Sequence, residues 1–256
     1  MKNPNSILIT GASSGIGRAL AILYAAPARR LLLTGRDAAR LSDVAAECRA
    51  KGASAETCTV PVTEGAALKQ QIEAWDDFAP IDLVIANAGI SGGHGKIGDE
   101  AEALLREIMA INVDGMFNTV NPLISRMRRR RRGQIALLSS IAGFRGLPSA
   151  PAYSTSKNAV RAYGEALRPL LIQDNVGVSV IFPGFIRTPL TDKNDFDMPF
   201  MMDADNAARI IYAGLQKDRA VIAFPWQMRA IIMLITALPR CLGDAITARA
   251  LKSKKA

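Results

Sequence analysis

Histidine is almost missing from this chain of 256 residues, and its single example is His94. A catalytic triad built on an imidazole base is therefore excluded unless His94 belongs to it, and few sets of metal ligands remain. The three cysteines, Cys48, Cys58 and Cys241, are an odd number without a Cys-x-x-Cys pair. Such cysteine usage indicates neither a disulfide framework nor a zinc site. We expect no metal site.

Long apolar runs are also absent. Residues 1–6 are polar and the apolar run 7–9 is too short for the core of a signal peptide, so we expect a cytoplasmic protein. The apolar stretch 230–238 is too short to span a bilayer. With 49% hydrophobic and 21% charged residues, the composition is that of a globular protein, and the length fits one domain over residues 1–256.

Negative charge is in deficit, because the formal net charge is +9. Much of the excess lies in the run 126–132, RMRRRRR, and in the lysines of 252–255. One interpretation is an anionic partner such as nucleic acid or lipid headgroups. The other is a solvated helix end, where cations are stabilising. Since no aromatic residues alternate with the arginines, the pattern favours the helix end, and we predict no nucleic-acid partner.

Short apolar runs alternate with helical patterns along the chain. The predicted strands are 6–10, 30–34, 56–60, 83–86, 134–139, 177–182 and 220–224, and the predicted helices are 16–26, 38–51, 64–78, 100–129, 154–173 and 204–216. Near-continuous apolar strands are typical of a sheet covered on both faces. The pattern predicts an α/β fold, a Rossmann-like, doubly wound parallel sheet of about seven strands with helices on both faces.

A glycine-rich loop, TGASSGIG at residues 10–17, directly follows the first strand. Its glycines allow a tight turn and a close approach to a pyrophosphate at the start of a helix. The spacing G-x-x-x-G-x-G differs from the usual G-x-G-x-x-G, and glycine turns also occur merely to start helices. The loop alone is therefore a weak indication of a dinucleotide site.

The end of the second strand indicates which dinucleotide would bind. An NAD site places a carboxylate there, whereas this chain has Gly35 followed by Arg36. The Arg36 guanidinium can pair with a 2′-phosphate, and Ser13 could add a hydroxyl. The alternative is a surface ion pair between Arg36 and Asp37 or another neighbour. The missing acid favours NADP(H) over NAD(H).

Tyr153 and Lys157 are four residues apart, which places both side chains on one face of a helix. An ammonium in that position can stabilise a phenolate and so make the tyrosine a proton donor for hydride chemistry. The pair Ser139 and Ser140 lies upstream, and Ser140 precedes Tyr153 by thirteen residues. A Tyr–Lys pair at this spacing would by itself be a chance match in most helices. Its combination with the serines and the glycine-rich loop makes chance a poor explanation.

These motifs resemble those of the short-chain dehydrogenase/reductase family, in the same order and spacing, from Ile7 to about Leu190. The matching segments are TGASSGIG at 10–17, NAG at 87–89, INV at 111–113, LSS at 138–140, Tyr153-x-x-x-Lys157 and PGFIRT at 183–188. The resemblance implies an enzyme that interconverts a carbonyl and an alcohol by hydride transfer. A non-catalytic NADP(H)-sensing protein is the alternative from another class, but it would be free to lose the tyrosine or the lysine.

The resemblance also implies a role for each matching residue. Tyr153 would be the acid/base, Ser140 would hold the substrate oxygen, Lys157 would support the phenolate and the nicotinamide ribose, and Asn112 would anchor a water for proton relay. The implied cofactor contacts are Gly11, Ser13, Ser14, Gly15, Ile16, Gly17, Arg36, Val62, Asn87, Ala88, Gly89, Tyr153, Lys157, Pro183, Gly184, Ile186 and Thr188. One departure is Pro61, where many members have an Asp that meets the adenine.

Two segments bear on substrate and partners. Residues 190–203 correspond to a substrate lid in the family, and their methionines and Phe200 favour an apolar carbonyl compound. The apolar and basic extension 225–256 could lie in a membrane interface, as in a lipid-metabolism reductase, or pack on the core or on a second subunit. Because the family commonly forms dimers or tetramers, we favour packing and expect a homodimer or homotetramer.

Overall fold

The computed structural model describes residues 3–92, 102–192, 197–239 and 242. Within them, seven parallel strands form one sheet in the order β3-β2-β1-β4-β5-β6-β9. A separate pair, β7 and β8, is also parallel. The strands are β1 Ser6–Thr10, β2 Arg30–Thr34, β3 Ser54–Cys58, β4 Leu83–Ala86, β5 Gly133–Leu138, β6 Val176–Pro183, β7 Ile186–Arg187, β8 Met202–Asp203 and β9 Val221–Phe224.

Eight α-helices connect or follow these strands in the described part of the chain. They are α1 Gly15–Tyr24, α2 Ala38–Ala50, α3 Gly65–Phe78, α4 Glu102–Met109, α5 Gly115–Arg129, α6 Pro151–Leu171, α7 Ala204–Gln216 and α8 Trp226–Ala237. Helices α1, α2 and α7 pack on one face of the sheet, and α3, α5 and α6 pack on the other. The predicted doubly wound fold is confirmed.

Alternate residues of each apolar strand point to opposite faces of the sheet and contribute to two separate cores. Ile7 and Ile9 of β1 belong to the core under α1 and α2, whereas Leu8 between them belongs to the core under α3 and α5. In β2, Leu32 is on the opposite face from its neighbours in the same way. Since both faces are covered, the strands need apolar residues at every position, which is why they read as continuous runs.

Several elements of the structure differ from the predicted ones. Strand β3 begins two residues before the predicted 56–60, and α6 begins at Pro151 rather than at 154. The predicted helix 100–129 is interrupted by a π-helical turn, Ala110–Asp114, between α4 and α5. Neither the β7–β8 pair nor α8 was predicted, because two-residue strands and short exposed helices leave little periodicity in a sequence.

In the sheet, β1 lies between β2 and β4, although β4 comes two strands after β2 in the chain. This is the point where the connections turn to opposite faces, and it leaves a crevice at the carboxyl ends of the two strands. The loops after β1, β2, β4, β5 and β6 all leave the sheet at that edge. In the described residues, no helix is both long and apolar enough to cross a membrane.

Candidate active site

The loop between β1 and α1 is a glycine cradle packed against the end of β4. Gly11 and Gly15 have φ values of +66° and +54°, in the left-handed region that favours glycine. A Cβ on Gly11 would lie 2.9 Å from the Ala88 Cα, and one on Gly17 would lie 2.6 Å from the Asn87 Nδ2. The backbone therefore approaches its neighbours so closely that side chains are excluded, and the first N–H groups of α1 stay accessible.

Asn87 holds this cradle in place. Its Nδ2 donates to the carbonyl oxygens of Thr10 at 2.8 Å and Gly11 at 3.2 Å. The Thr10 hydroxyl accepts from the backbone N–H groups of Asn87 and Ala88, both at 3.1 Å. Sequence reasoning overlooked Thr10, whose position at the end of a buried strand, directly before the glycine loop, was the available signal.

The segment after β6 forms the opposite wall of the cradle. A Cβ on Gly15 would lie 2.9 Å from the Thr188 Cγ2, so the predicted cofactor residues Gly15 and Thr188 are neighbours. The Thr191 hydroxyl fixes this turn, because it donates to the Ile186 carbonyl at 2.7 Å and accepts from the Thr188 N–H at 3.0 Å. The remaining predicted residues of this region lie alongside: Ser14 directly precedes α1, Ile16 packs on the core, Pro183 ends β6, and the Gly184 N–H donates to the Phe224 carbonyl.

Arg36, at the end of β2, is exposed, and no ion pair holds it in the described structure. The alternative pairing with Asp37 is not formed. Asp37 caps α2 by accepting from the Arg40 N–H and pairs with the Arg40 guanidinium at 2.6 Å. Those hydrogen bonds from Arg40 lower the pKa of Asp37. A Cβ on Gly35 would lie 3.2 Å from the Ser13 Oγ, so Ser13 is beside the same strand end.

Tyr153, Lys157 and Ser140 converge at the carboxyl end of β5. Tyr153 and Lys157 are one turn apart in α6, and the Lys157 Nζ lies 5.7 Å from the centroid of the tyrosine ring. Lys157 donates to the Leu138 carbonyl at 2.9 Å, which fixes the ammonium at the strand end. Ser140 follows the same strand, forms a hydrogen bond with Tyr153 and accepts from the Ala142 N–H at 3.1 Å.

The neighbouring Ser139 has a different position. It is buried and donates to the Lys157 carbonyl at 2.7 Å, so it ties β5 to α6. Of the two serines, Ser140 is the one that forms a hydrogen bond with Tyr153.

Burial sets the proton affinities of this group. Removal of water lowers the pKa of Lys157 to about 8, because an ammonium is poorly solvated in the protein interior. Burial also raises the pKa of the Tyr153 phenol, while the hydrogen bond with Ser140 acts in the opposite direction. The sequence predicted that Lys157 would make this phenol more acidic. In the structure burial raises the pKa of the phenol more than the hydrogen bond with Ser140 lowers it.

Asn112 lies in the π-helical turn and is buried. Its Oδ1 accepts from the Ile90 N–H at 2.8 Å, and its Nδ2 donates to the Ile90 carbonyl and to the Ser156 Oγ, both at 2.9 Å. A Cβ on Gly89 would lie 3.0 Å from the Asn112 Oδ1 and 3.3 Å from the Lys157 Nζ. The absent side chain of Gly89 thus leaves room for both groups. Ser156 was overlooked in the sequence, although it directly precedes Lys157.

The segment after β3, where Pro61 replaces the Asp common in the family, packs against α5. Val62 packs against the start of α5, where a Cβ on Gly115 would lie 2.6 Å from the Val62 Cγ2. The Asn118 Nδ2 donates to the Val62 carbonyl at 2.9 Å. The segment 61–62 is therefore anchored to α5.

The basic run is largely engaged within the protein. Arg130 pairs with both oxygens of the buried Asp76, and Arg132 pairs with the buried Asp82 at 2.9 Å. Arg128 pairs with Asp174 at 2.6 Å. These pairs join the end of α5 to α3 and to the start of β4. The run thus has a structural role at the edge of the sheet opposite the site.

Some predicted features lie outside the described residues. These are His94, Cys241, the lid positions 193–196 and most of the extension beyond 239. The rest of the lid is described, and it joins β7 to β8 through the pairing of Ile186 with Met202.

A parallel sheet with a glycine cradle at its switch point and a buried Tyr–Lys–Ser group beside it is the arrangement of a nucleotide-dependent oxidoreductase. Residues 5–198 match the family model for short chain dehydrogenase. The chain belongs to the short-chain dehydrogenase/reductase family of oxidoreductases, which bind a nicotinamide cofactor and act on small molecules.

Relatives agree with this assignment. An uncharacterised oxidoreductase of Myxococcus xanthus is 37% identical over 94% of this chain and 96% of its own length. A sepiapterin reductase of Chlorobaculum tepidum is 33% identical over 84% of this chain and 92% of its own length.

Solved structures share the fold. A short-chain dehydrogenase of Sphingobium yanoikuyae in complex with NADPH superposes with a TM-score of 0.79 at 23% identity, covering 98% of this chain and 95% of the other. One from Burkholderia phymatum in complex with NAD has a TM-score of 0.83 at 24% identity, covering 91% and 92%.

Proposed function

We propose that this chain is an NADP(H)-dependent oxidoreductase that interconverts a carbonyl and an alcohol, with Tyr153 as the acid/base. The observation that carries the proposal is the convergence of Tyr153, Lys157 and Ser140 at the end of β5, on the same sheet edge as the glycine cradle. A hydroxyl acid, a cation and a second hydroxyl within one group are what carbonyl reduction requires.

The glycine cradle fits a dinucleotide. The positions where a Cβ would collide with backbone or with Asn87 leave a smooth surface at the start of α1, which suits a pyrophosphate. Thr188 and Lys157 are at the nicotinamide end, and Ser13 and Arg36 are at the adenosine end. When bound, the nicotinamide group supplies or accepts a hydride.

The proton would move through Tyr153. In reduction, the phenol O–H bond breaks and a new O–H bond forms on the substrate oxygen, while the carbonyl carbon gains the hydride. Ser140 would donate a hydrogen bond to the same oxygen as negative charge develops on it. A free phenol has a pKa near ~10, so a phenolate at neutral pH needs about 4 kcal/mol of stabilisation.

Lys157 is placed to give part of that stabilisation. With a pKa of about 8, its side chain is mostly protonated at pH 7, so the positive charge is available beside the tyrosine ring. Asn112 holds the turn after β4 and, through Ser156, the Tyr153 segment of α6. We assign it as a positioning residue and include the anchoring of a relay water among its proposed roles.

The preference for NADP(H) over NAD(H) rests on charge at the end of β2. Gly35 stands where an acid would repel a 2′-phosphate, and Arg36 is exposed without an ion pair in the described structure. Asp37 is the nearest acid in sequence, and Arg40 already neutralises it. A 2′-phosphate would therefore meet an unopposed guanidinium.

We further propose an apolar carbonyl substrate and a homo-oligomer. Phe144 directly follows the turn after Ser140 and packs on the buried Phe182 with 4.5 Å between centroids, which supports an apolar lining near the proposed oxygen site. A relative is a sepiapterin reductase, which supports testing the reductive direction first. The resemblance supports a homodimer or homotetramer, which a mass measurement in solution would decide.

The test follows NADPH absorbance with a panel of ketones and aldehydes, and NADP⁺ reduction with secondary alcohols. Tyr153→Phe should lower turnover at least ~100-fold while NADPH still binds, because only the transferable proton is removed. Tyr163→Phe is the matched control, since the Tyr163 hydroxyl in the same helix bonds Asn121 at 3.0 Å. Turnover by Tyr153→Phe close to that of the parent would refute the assignment, and binding without turnover by the parent would favour the sensor alternative.

A further inference from the structure

Helix α8 has one packed face and one exposed apolar face. Ile232 and Met228 pack with Ile141, Phe144 and Phe182 on the inner side. On the outer side, residues 226, 230, 233 and 237 follow a spacing of three and four, which places them in one stripe along the helix. They are Trp226, Ala230, Met233 and Ala237, and all are exposed.

The exposed stripe is large. Trp226 is 74% exposed and Leu234, next to the stripe, is 66% exposed. Ile231 and Met233 are each 51% exposed. Single exposed apolar residues are ordinary, but a continuous patch of this kind on a short helix marks an interaction surface.

Arg229 and the sequence that follows α8 give this region a positive charge. Arg229 is exposed at the border of the stripe. From residue 226 to the end the sequence carries six basic residues and one acid; the basic ones are Arg229, Arg240, Arg249, Lys252, Lys254 and Lys255, and the acid is Asp244. Tryptophan at the end of an apolar stripe with flanking cations is the composition of a helix that lies in the plane of a membrane interface.

We propose that the exposed face of α8 docks this protein on an anionic lipid surface. The apolar stripe enters the boundary between headgroups and acyl chains, and Arg229 at its border meets the phosphates. A second copy of the chain would also cover an apolar stripe, but it would bring the same positive charge against itself. Charge complementarity therefore favours the lipid.

The docking surface adjoins the proposed substrate end of the site. A Cβ on Gly184 would lie 2.6 Å from the Met228 Sδ, and the Arg145 guanidinium donates to the Ile235 carbonyl at 3.4 Å. Ile141, which directly follows Ser140, is part of the same apolar cluster as Ile232. Docking thus brings to the lipid the helix that packs beside the segment after Ser140. The consequence that the substrate is a carbonyl compound dissolved in the bilayer rests on the proposed function.

The two tryptophans make the docking directly measurable. Trp75 is only 4% exposed, so any change of its emission with lipid is small, whereas Trp226 reports the docking face. We expect a blue shift on adding vesicles of phosphatidylcholine with phosphatidylglycerol, and a much smaller one with phosphatidylcholine alone. Trp226→Phe should abolish the shift.

Co-sedimentation with the same vesicles measures binding itself. The double variant Met233→Gln/Leu234→Gln should lower the bound fraction at least fivefold, and high salt should do the same. Leu170→Gln/Ile172→Gln is the matched control, because it removes two exposed apolar residues at the end of α6 and should leave binding unchanged. Circular dichroism of each variant checks that the fold is retained.

Three outcomes would overturn the proposal. The first is that the parent does not sediment with anionic vesicles, and the second is that the α8 double variant sediments as much as the parent. The third is a shift of Trp226 emission that follows protein concentration without lipid, which would identify a second copy as the occupant. Turnover of a water-soluble ketone should be the same in the parent and the double variant. If neither turns over any substrate, the proposed reaction fails and the docking result still stands.

Discussion

The Asn112 side chain donates a hydrogen bond of 2.9 Å to the Ser156 Oγ, which in turn donates to the Tyr153 carbonyl at 2.8 Å. This chain of bonds joins the π-helical turn to the segment of α6 that carries Tyr153 and Lys157. Because Asn112 also holds both backbone groups of Ile90, one buried amide fixes the loop after β4 relative to the proposed acid/base.

Ser156→Ala should lower kcat by more than its modest loss of stability would explain. The change leaves one N–H of Asn112 without its partner, which costs about 1–2 kcal/mol of unfolding free energy, and it frees the Tyr153 segment to shift. We expect a several-fold fall in kcat and a changed pH profile. Thr119→Val, which removes the buried bond from Thr119 to the Gly115 carbonyl, is the control for a purely structural loss.

Lys157→Met should abolish activity and yet stabilise the free protein at pH 7. Burial lowers the pKa of Lys157 from 10.5 to about 8, so the unfolded chain binds more protons between those values and the stability of the parent rises with pH across that window. Below pH 8 the buried ammonium costs the folded state up to about 3 kcal/mol. The lost bond to the Leu138 carbonyl offsets part of the gain.

Urea unfolding of both proteins at several pH values measures this effect. The advantage of the methionine variant should be greatest near pH 7 and should shrink as the pH rises from 8 towards 10.5. A variant less stable than the parent at pH 7 would show that the ammonium stabilises the fold.

Gly17→Ala should weaken the binding of NADPH at least tenfold. Its Cβ would collide with the Gly11 carbonyl and lie 2.6 Å from the Asn87 Nδ2, so the cradle must open. Gly146→Ala is the matched control, because no atom lies within 4 Å of its added Cβ. Titration of NADPH by fluorescence measures both variants, and equal affinities would show that the cradle tolerates a side chain.

Arg36→Ala should weaken NADPH by about 10- to 100-fold, the equivalent of one charge-assisted contact of about 1.5–3 kcal/mol. The affinity for NADH should change little, since NADH has no 2′-phosphate. Arg40→Ala is the control, because that guanidinium already pairs with Asp37. The preference for NADP(H) would be wrong if Arg36→Ala weakened both cofactors equally.

The architecture of the sheet could be predicted from local pattern. In β1 and β2 every residue faces a covered side of the sheet, so a continuous apolar run was informative without any tertiary contact. The first and last residues of β3 were harder to predict from the sequence. Its residues Ser54 and Glu56 are polar, and only pairing with β2 defines where the strand begins.

The motif residues could likewise be grouped from their order and spacing, and the structure brings Tyr153, Lys157 and Ser140 together. Their proton affinities could not be predicted. The pKa of a phenol or ammonium depends on how much water the surrounding protein excludes, and that burial comes from residues far apart in sequence.

The sequence by itself determined the main alternation of strands and helices and the glycine-rich loop, because these depend on periodicity and on neighbours a few residues apart. The candidate reacting groups came from the order and spacing of the motifs. Only the tertiary structure decided that Asn112 and Ser156 share a bond, that the arginines of the basic run meet Asp76 and Asp82, and that α8 keeps one apolar face in solvent. The reason is physical: hydrogen bonds, ion pairs and solvent exposure depend on distances in space, which folding sets between residues that the chain keeps apart.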